Sequence, residues 1–201
     1  MRGNWKNSLA LIIVMLSAAG LAHAAELGAI QKRYSAVQDF TATFTQETFQ
    51  MIANKTITFE GSVSYKKNAG VRMDVQAPER QILILKGSTV LVILPAQGTS
   101  QVQELPKEIA AQNILGFFTG LASLEEYYTV QTVNDHLVLL PKTGSGSISV
   151  WTDKDTLIRR ILLKDAMGNS SDIRLSAYRF NRGLPDSLFR QDETPDQGKQ
   201  R

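Results

Sequence analysis

The sequence predicts a mainly β protein with some α-helix, in the form of an incomplete, half-open antiparallel β-barrel of about 10–11 strands with a helical lid. Three observations carry that expectation. Short runs rich in β-formers alternate apolar and polar side chains. The loops between them are too short for the crossovers that parallel strands need. The helical period surfaces in only two places, near the start and in the middle of the chain. A sheet of about ten strands curls under its own twist, and the two helical segments are then available to cover its concave face.

The first residues place Arg2 and Lys6 ahead of the apolar run Leu9 to Leu16, and Ala22-His23-Ala24 then supplies a small-x-small pattern. This reads as a cleaved export signal over residues 1–24, cut between Ala24 and Ala25, because the peptidase pocket excludes bulky side chains at those positions. The run is too short for the roughly 20 residues of a spanning helix. Residues 25–190 are expected to form one domain, and the polar stretch 191–201, with Pro195 and Gly198, a frayed tail. No cysteine occurs, which excludes a lipid-anchoring cysteine, disulfides and thiolate metal sites.

The whole chain carries 22 basic and 19 acidic residues, and loss of Arg2 and Lys6 with the signal leaves 20 against 19. That balance gives no electrostatic footprint for nucleic acid.

From Ala25 to Val37 the apolar residues Leu27, Ile30, Tyr34 and Val37 recur at helical spacing, with Gln31, Lys32 and Arg33 on the other face and Asp39 as the expected stop. Strands are predicted over Phe40 to Thr45, Thr56 to Tyr65, Val71 to Val75, Gln81 to Leu85 and Thr89 to Leu94. Between Pro106 and Leu124 the period changes, and Ile109, Ile114, Leu115, Phe117, Phe118 and Leu121 predict short helices broken at Gly116 and Gly120. Strands resume over Tyr127 to Val133, His136 to Leu140, Ser147 to Thr152, Leu157 to Lys164 and Ser171 to Tyr178. Their turns carry Asn134-Asp135, Gly144-Ser145-Gly146, Asp153-Lys154-Asp155 and Gly168-Asn169.

Catalytic machinery is not legible. His136 is the one histidine beyond the signal and reads as a strand-edge residue. One histidine without cysteine partners makes no zinc site. Asp153, Asp155 and Asp165 read as turn formers, no serine sits in a nucleophile elbow, and no phosphate-cradling loop is present. The sequence is read as a non-enzyme, with no cofactor and no metal.

Phe40-Thr41-Ala42-Thr43-Phe44-Thr45-Gln46 resembles the opening strand of the outer-membrane lipoprotein carrier protein (LolA) family. Gly61-Ser62-Val63-Ser64-Tyr65-Lys66-Lys67, Val71-Arg72-Met73, Pro78 with Gln81-Ile82-Leu83, Gly87 and Leu94-Pro95 follow at family spacing. So do Asn113-Ile114-Leu115-Gly116, Leu140-Pro141-Lys142, Asp165 with Gly168-Asn169, and Leu184-Pro185 with Phe189.

The resemblance implies a monomeric periplasmic carrier. It would receive acylated lipoproteins from an inner-membrane ABC transporter and pass them to an outer-membrane receptor. Under this expectation the cavity and lid comprise Leu27, Phe44, Val71, Met73, Ile82, Ile84, Ile114, Leu115, Phe117 and Phe118. Two departures stand out. Met73 and Val71 occupy places where tryptophan and phenylalanine are usual, which makes the wall softer or leaves both as plain core. Lys67 stands where the family has a lid-closing arginine, and is either a looser latch or a solvated charge beside a hairpin. Arg72 is expected to be solvated. A carrier of another acylated molecule, a glycolipid or polyketide, and a lipoprotein-sensing regulator are the alternatives.

Overall fold

The computed structural model describes residues 26–104 and 124–190. The proposed signal with Ala24 and Ala25, the lid residues Ile114, Leu115, Phe117 and Phe118, and the tail 191–201 lie outside the described residues.

A helix, α1, spans 26–35. Eleven strands follow: β1 (Asp39–Gln50), β2 (Lys55–Lys66), β3 (Gly70–Ala77), β4 (Gln81–Lys86), β5 (Thr89–Leu94), β6 (Thr99–Glu104), β7 (Tyr128–Val133), β8 (His136–Pro141), β9 (Ser147–Thr152), β10 (Ile158–Lys164) and β11 (Ser170–Phe180). A single helical turn, α2 (Leu124–Tyr127), leads into β7, and a 3₁₀ turn spans Asp186–Phe189.

All strands join one sheet in the order β6-β5-β4-β3-β2-β1-β11-β10-β9-β8-β7. The chain meanders outward on both sides of the β1–β11 pair, and every described pairing is antiparallel. Strands β6 and β7 are the sheet's two ends and do not pair with each other, so the barrel is incomplete. The predicted fold class is therefore the observed one.

Alternation sets the two faces. On β1, Phe40, Ala42 and Phe44 are buried while Thr43 and Thr45 are exposed. The same stripe continues through Val63, Val71, Met73, Val75 and Leu85 on one side, and Ile173, Leu175, Ile161, Ile148, Val150, Leu137 and Leu139 on the other, in one continuous core. α1 packs Leu27, Ile30 and Tyr34 onto this concave face. Phe40, wholly buried, lies 5.4 Å from Tyr65, 5.5 Å from Tyr178, 5.9 Å from Phe180 and 6.2 Å from Tyr34 between ring centres. This aromatic cluster fills the end of the concavity where β1 begins.

Curvature has a local cause at Gly61. A Cβ there would stand 2.0 Å from the Asp74 carbonyl oxygen, beside a break in register between Glu60 and Gly61 in the β2–β3 ladder. Only glycine permits that approach, and such irregularities bend a strand and sharpen its twist.

Three expectations are corrected. Asp39 does not end the helix, which stops at 35; it begins β1, is almost fully buried, and its carboxylate accepts the backbone N–H groups of Arg182 and Gly183 at 2.8 and 3.0 Å. Arg72 is not solvated: its side chain is 10% exposed, bound through Nε and Nη2 to Asp74 and through Nη1 to the Leu188 carbonyl. Finally, Thr99–Glu104 forms β6, which was not foreseen because every residue of it is exposed and its composition is polar.

The turn readings are matched by contacts. Asp153 Oδ1 accepts the N–H groups of Asp155 and Leu157, and Asp165 Oδ1 accepts those of Met167 and Asn169. His136, predicted to begin a strand, stacks on Trp151 with ring centres 4.3 Å apart.

Candidate functional site

The open concavity leaves a cavity of about 520 Å³ beside the helix-filled end. Its wall is built by alternation from residues of both halves of the sheet. Phe44, Phe59, Met73, Val75, Leu83, Val90 and Val92 come from β1 to β5; Tyr128, Ile148, Leu163 and Ile173 come from β7, β9, β10 and β11. A space of this size lies within the roughly 300–1,000 Å³ range of small-ligand sites. Its apolar wall favours hydrocarbon, which is non-directional in its demands.

Polar groups gather mainly at one end, while Gln103 of β6 lines the cavity toward the other. Gln46, Gln81, Ser145, Ser147, Asn169 and Ser171 line the cavity where β1 approaches its turn, where β4 and β9 begin, and where β10 turns into β11. Gln46 Nε2 donates to Thr48 Oγ1 at 2.9 Å, and Thr48 Oγ1 shares a hydrogen bond with Ser171 Oγ at 3.0 Å. Asn169 is held by the loops: its Oδ1 accepts the Met51 N–H and its Nδ2 donates to Asp165. These bonds draw the Asp165 carboxyl below its ordinary range, the Asn169 side chain most of all. At Tyr128, buried at the cavity wall, burial pushes the phenol up, so it stays neutral.

Of the six sheet and helix residues expected at the cavity, Phe44 and Met73 line it. Leu27 and Val71 are buried in the main core rather than on the cavity wall. Ile82 and Ile84 are corrected: with Leu91 and Ile93 they form a separate apolar cluster on the convex face. The reason is the two-residue period of a strand. In the run Gln81-Ile82-Leu83-Ile84-Leu85 the concave residues are Gln81, Leu83 and Leu85, so both isoleucines turn outward. An unbroken apolar run hides which face is which, and the partner Arg72, paired with Ile84, was the available signal.

The convex isoleucines are not left bare. Residues 181–189 cross that side of the sheet, Phe189 is buried, and the 3₁₀ turn contacts β3 and β4. Lys66 Nζ donates to the Leu184 carbonyl at 2.6 Å and pairs with Asp186. Lys67, the latch candidate, is exposed, and the lid it would hold is outside the described residues. The described cations that grip backbone carbonyls here are Lys66 and Arg72, and what they hold is the segment after β11.

Fold and cavity together define a half-barrel binding protein with an apolar interior. The model of the family described as outer membrane lipoprotein carrier protein LolA matches residues 35–192, and the chain belongs to that family, whose members are carriers rather than enzymes. Among solved structures, a LolA-superfamily protein of Nitrosomonas europaea is 16% identical with a TM-score of 0.51, covering 84% of this chain and 97% of that one. A putative outer membrane lipoprotein-sorting protein domain of Vibrio parahaemolyticus is also 16% identical, with a TM-score of 0.46 and coverage of 82% and 96%. The lipoprotein LppX of Mycobacterium tuberculosis is 10% identical, with a TM-score of 0.45 and coverage of 82% and 97%. No curated protein matches the sequence. Among the described residues no helix is long and apolar enough to cross a membrane.

Proposed function

We propose that this protein is a periplasmic carrier that holds the acyl chains of lipoproteins in the cavity, taking them from an inner-membrane ABC transporter and yielding them to an outer-membrane receptor. The observation that supports this most is the apolar cavity itself, walled by Phe44, Phe59, Met73, Leu83, Ile148, Leu163 and Ile173 on the concave face of a sheet whose end strands β6 and β7 do not pair. An acyl chain of about 16 carbons offers on the order of 10 kcal/mol of gross driving force when its methylenes leave water. Ordering of chain and cargo reduces the net affinity. A carrier works with that remainder, because cargo must leave for a tighter receptor without a chemical step.

The test is native mass spectrometry of the mature protein with a triacylated lipoprotein, with Leu83→Glu as the control because its side chain points into the cavity. A one-to-one complex with the parent protein that disappears in the variant, while circular dichroism shows the variant folded, supports the reading. Absence of a complex, with binding of a free glycolipid instead, moves the function to a carrier of another acylated molecule.

A further inference from the structure

Among the described residues seven large apolar side chains remain exposed, and three of them, Met51, Ile52 and Met167, share one corner of the sheet. Ile52 is 91% exposed, Met167 65% and Met51 50%. They stand on two hairpin tips, the β1–β2 turn and the β10–β11 turn, which the β1–β11 pairing sets side by side. The tips are fastened together. Met51 N–H donates to Asn169 Oδ1 at 2.9 Å, and the Met51 side chain lies over Gly168, where an added Cβ would stand 2.7 Å from its Cε. The three side chains therefore form one fixed apolar knob, and an exposed apolar patch of this kind marks a contact surface.

Three features match the knob to a lipid surface. It protrudes from turns, so a soft flat phase takes it in without a shaped pocket, and the unbranched methionines adapt to that phase. Its backbone is already paired: the N–H groups of Met51, Asn54, Met167, Gly168 and Asn169 are bonded within the two turns, so shallow insertion does not strip them of water unmatched. Finally, cations stand at its base. Lys55 follows one tip and Lys164 precedes the other, both exposed. The Asp165 carboxylate between them is bound into its own turn, and Glu79 in the neighbouring β3–β4 turn stands beside Arg80. Lysines behind an apolar tip complement anionic headgroups.

The knob is also continuous with the cavity, because Lys164, Asp165, Asn169, Ser170 and Ser171 of the same hairpin line it. We infer that the β1–β2 and β10–β11 tips are a membrane-contact site, which seats Met51, Ile52 and Met167 at the headgroup–acyl boundary of an anionic bilayer and brings the polar end of the cavity against it. The use of such a contact rests on the carrier reading above, since an acyl chain passing between bilayer and cavity then crosses less water. The contact itself does not rest on it. Three side chains without a covalent lipid hold a protein only transiently, so the carrier departs again readily.

The experiment is flotation of the mature protein with vesicles of equal parts phosphatidylcholine and phosphatidylglycerol, beside vesicles of phosphatidylcholine alone. The parent protein is expected to float with the mixed vesicles and more weakly with the neutral ones. Ile52→Glu with Met167→Glu lowers partitioning at least about tenfold. Val133→Glu, at an exposed apolar residue at the far end of the strands, leaves it unchanged. Ile52→Trp gives fluorescence that brominated phospholipid quenches, whereas Trp151, stacked on His136 at that far end, is not quenched. No flotation of the parent protein, flotation retained by the double variant, or flotation only with vesicles that carry a reconstituted membrane protein overturns the membrane site. The double variant still binds a monomeric acylglycerol in its cavity, so loss of the membrane site and loss of the carrier reading give separate results. Should it lose that binding too, quenching of Ile52→Trp decides alone.

Discussion

Arg72 Nη1 donates to the Leu188 carbonyl oxygen across 3.1 Å while Nε and Nη2 of the same guanidinium hold both carboxylate oxygens of Asp74 at 2.9 Å. One planar fork thus pairs with a carboxylate two residues away and fastens a segment 116 residues downstream to the convex face. Arg72→Ala is expected to lower stability by about 2 kcal/mol, below the full value for a buried pair because the Asp74 side chain is 34% exposed. Arg72→Lys recovers only part of this, since lysine lacks the fork. Denaturation by urea measures the loss, and faster proteolysis near residues 182–190 reports release of the segment.

The same segment is anchored at its start by Asp39, whose carboxylate accepts N–H groups from Arg182 and Gly183. Asp39→Ala removes an almost fully buried acceptor and leaves those donors unmatched. A loss of about 2–4 kcal/mol is expected. Hydrogen exchange at the amides of Arg182 and Gly183 should accelerate in the variant; unchanged protection there would contradict the anchoring role.

Tyr34 and Tyr178 meet at Ile158. The Tyr178 hydroxyl donates to the Ile158 carbonyl at 2.7 Å and the Tyr34 hydroxyl oxygen accepts the Ile158 N–H at 3.1 Å. Burial pushes both phenols up, Tyr178 far beyond the ordinary tyrosine range. A raised folded value means that the neutral form is favoured in the native state. Its stabilising contribution is complete below the unfolded value of about 10 and declines as pH rises above it. The midpoint of urea unfolding should fall above about pH 10, and Tyr178→Phe should flatten that fall while lowering stability at pH 7.

At Asp165 the sign is opposite. Its carboxyl is held below the usual range, first by the Asn169 side chain. The contribution is present above the unfolded value of about 4 and is lost as pH falls through the lower folded value. Asp165→Ala should remove this acid sensitivity from the β10–β11 turn, seen as a smaller change in amide exchange of Met167 and Asn169 between pH 6 and pH 3.

Leu83 and Ile84 are neighbours on β4 with opposite duties. Leu83→Trp fills the cavity and is expected to reduce acyl binding at least tenfold by calorimetry while the protein stays folded. Ile84→Val, in the convex cluster, should cost roughly 0.5–1.5 kcal/mol of stability and leave acyl binding unchanged. The reverse pattern would show that the faces are assigned wrongly.

Much of this protein was determined by sequence alone. Strict alternation, as in Phe40-Thr41-Ala42-Thr43-Phe44, and turn formers such as Asp165 with Gly168-Asn169 act locally, so ten of the eleven strands and the antiparallel order of neighbours along the chain were legible. Phe44 and Met73 were legible as cavity residues for the same reason, because each lies in a strand whose polar partners mark the outer face. Tertiary structure decided what local pattern leaves degenerate. In the apolar run of β4 both faces are hydrophobic, and only pairing with β3, together with residues 181–189 packed on the convex side, turns Ile82 and Ile84 away from the cavity. The pairing of β1 with β11 and the burial of Asp39 and Arg72 likewise depend on partners more than 100 residues away. A charge reads as solvated until the chain that buries it returns, and no periodicity within β1 or β3 records that return.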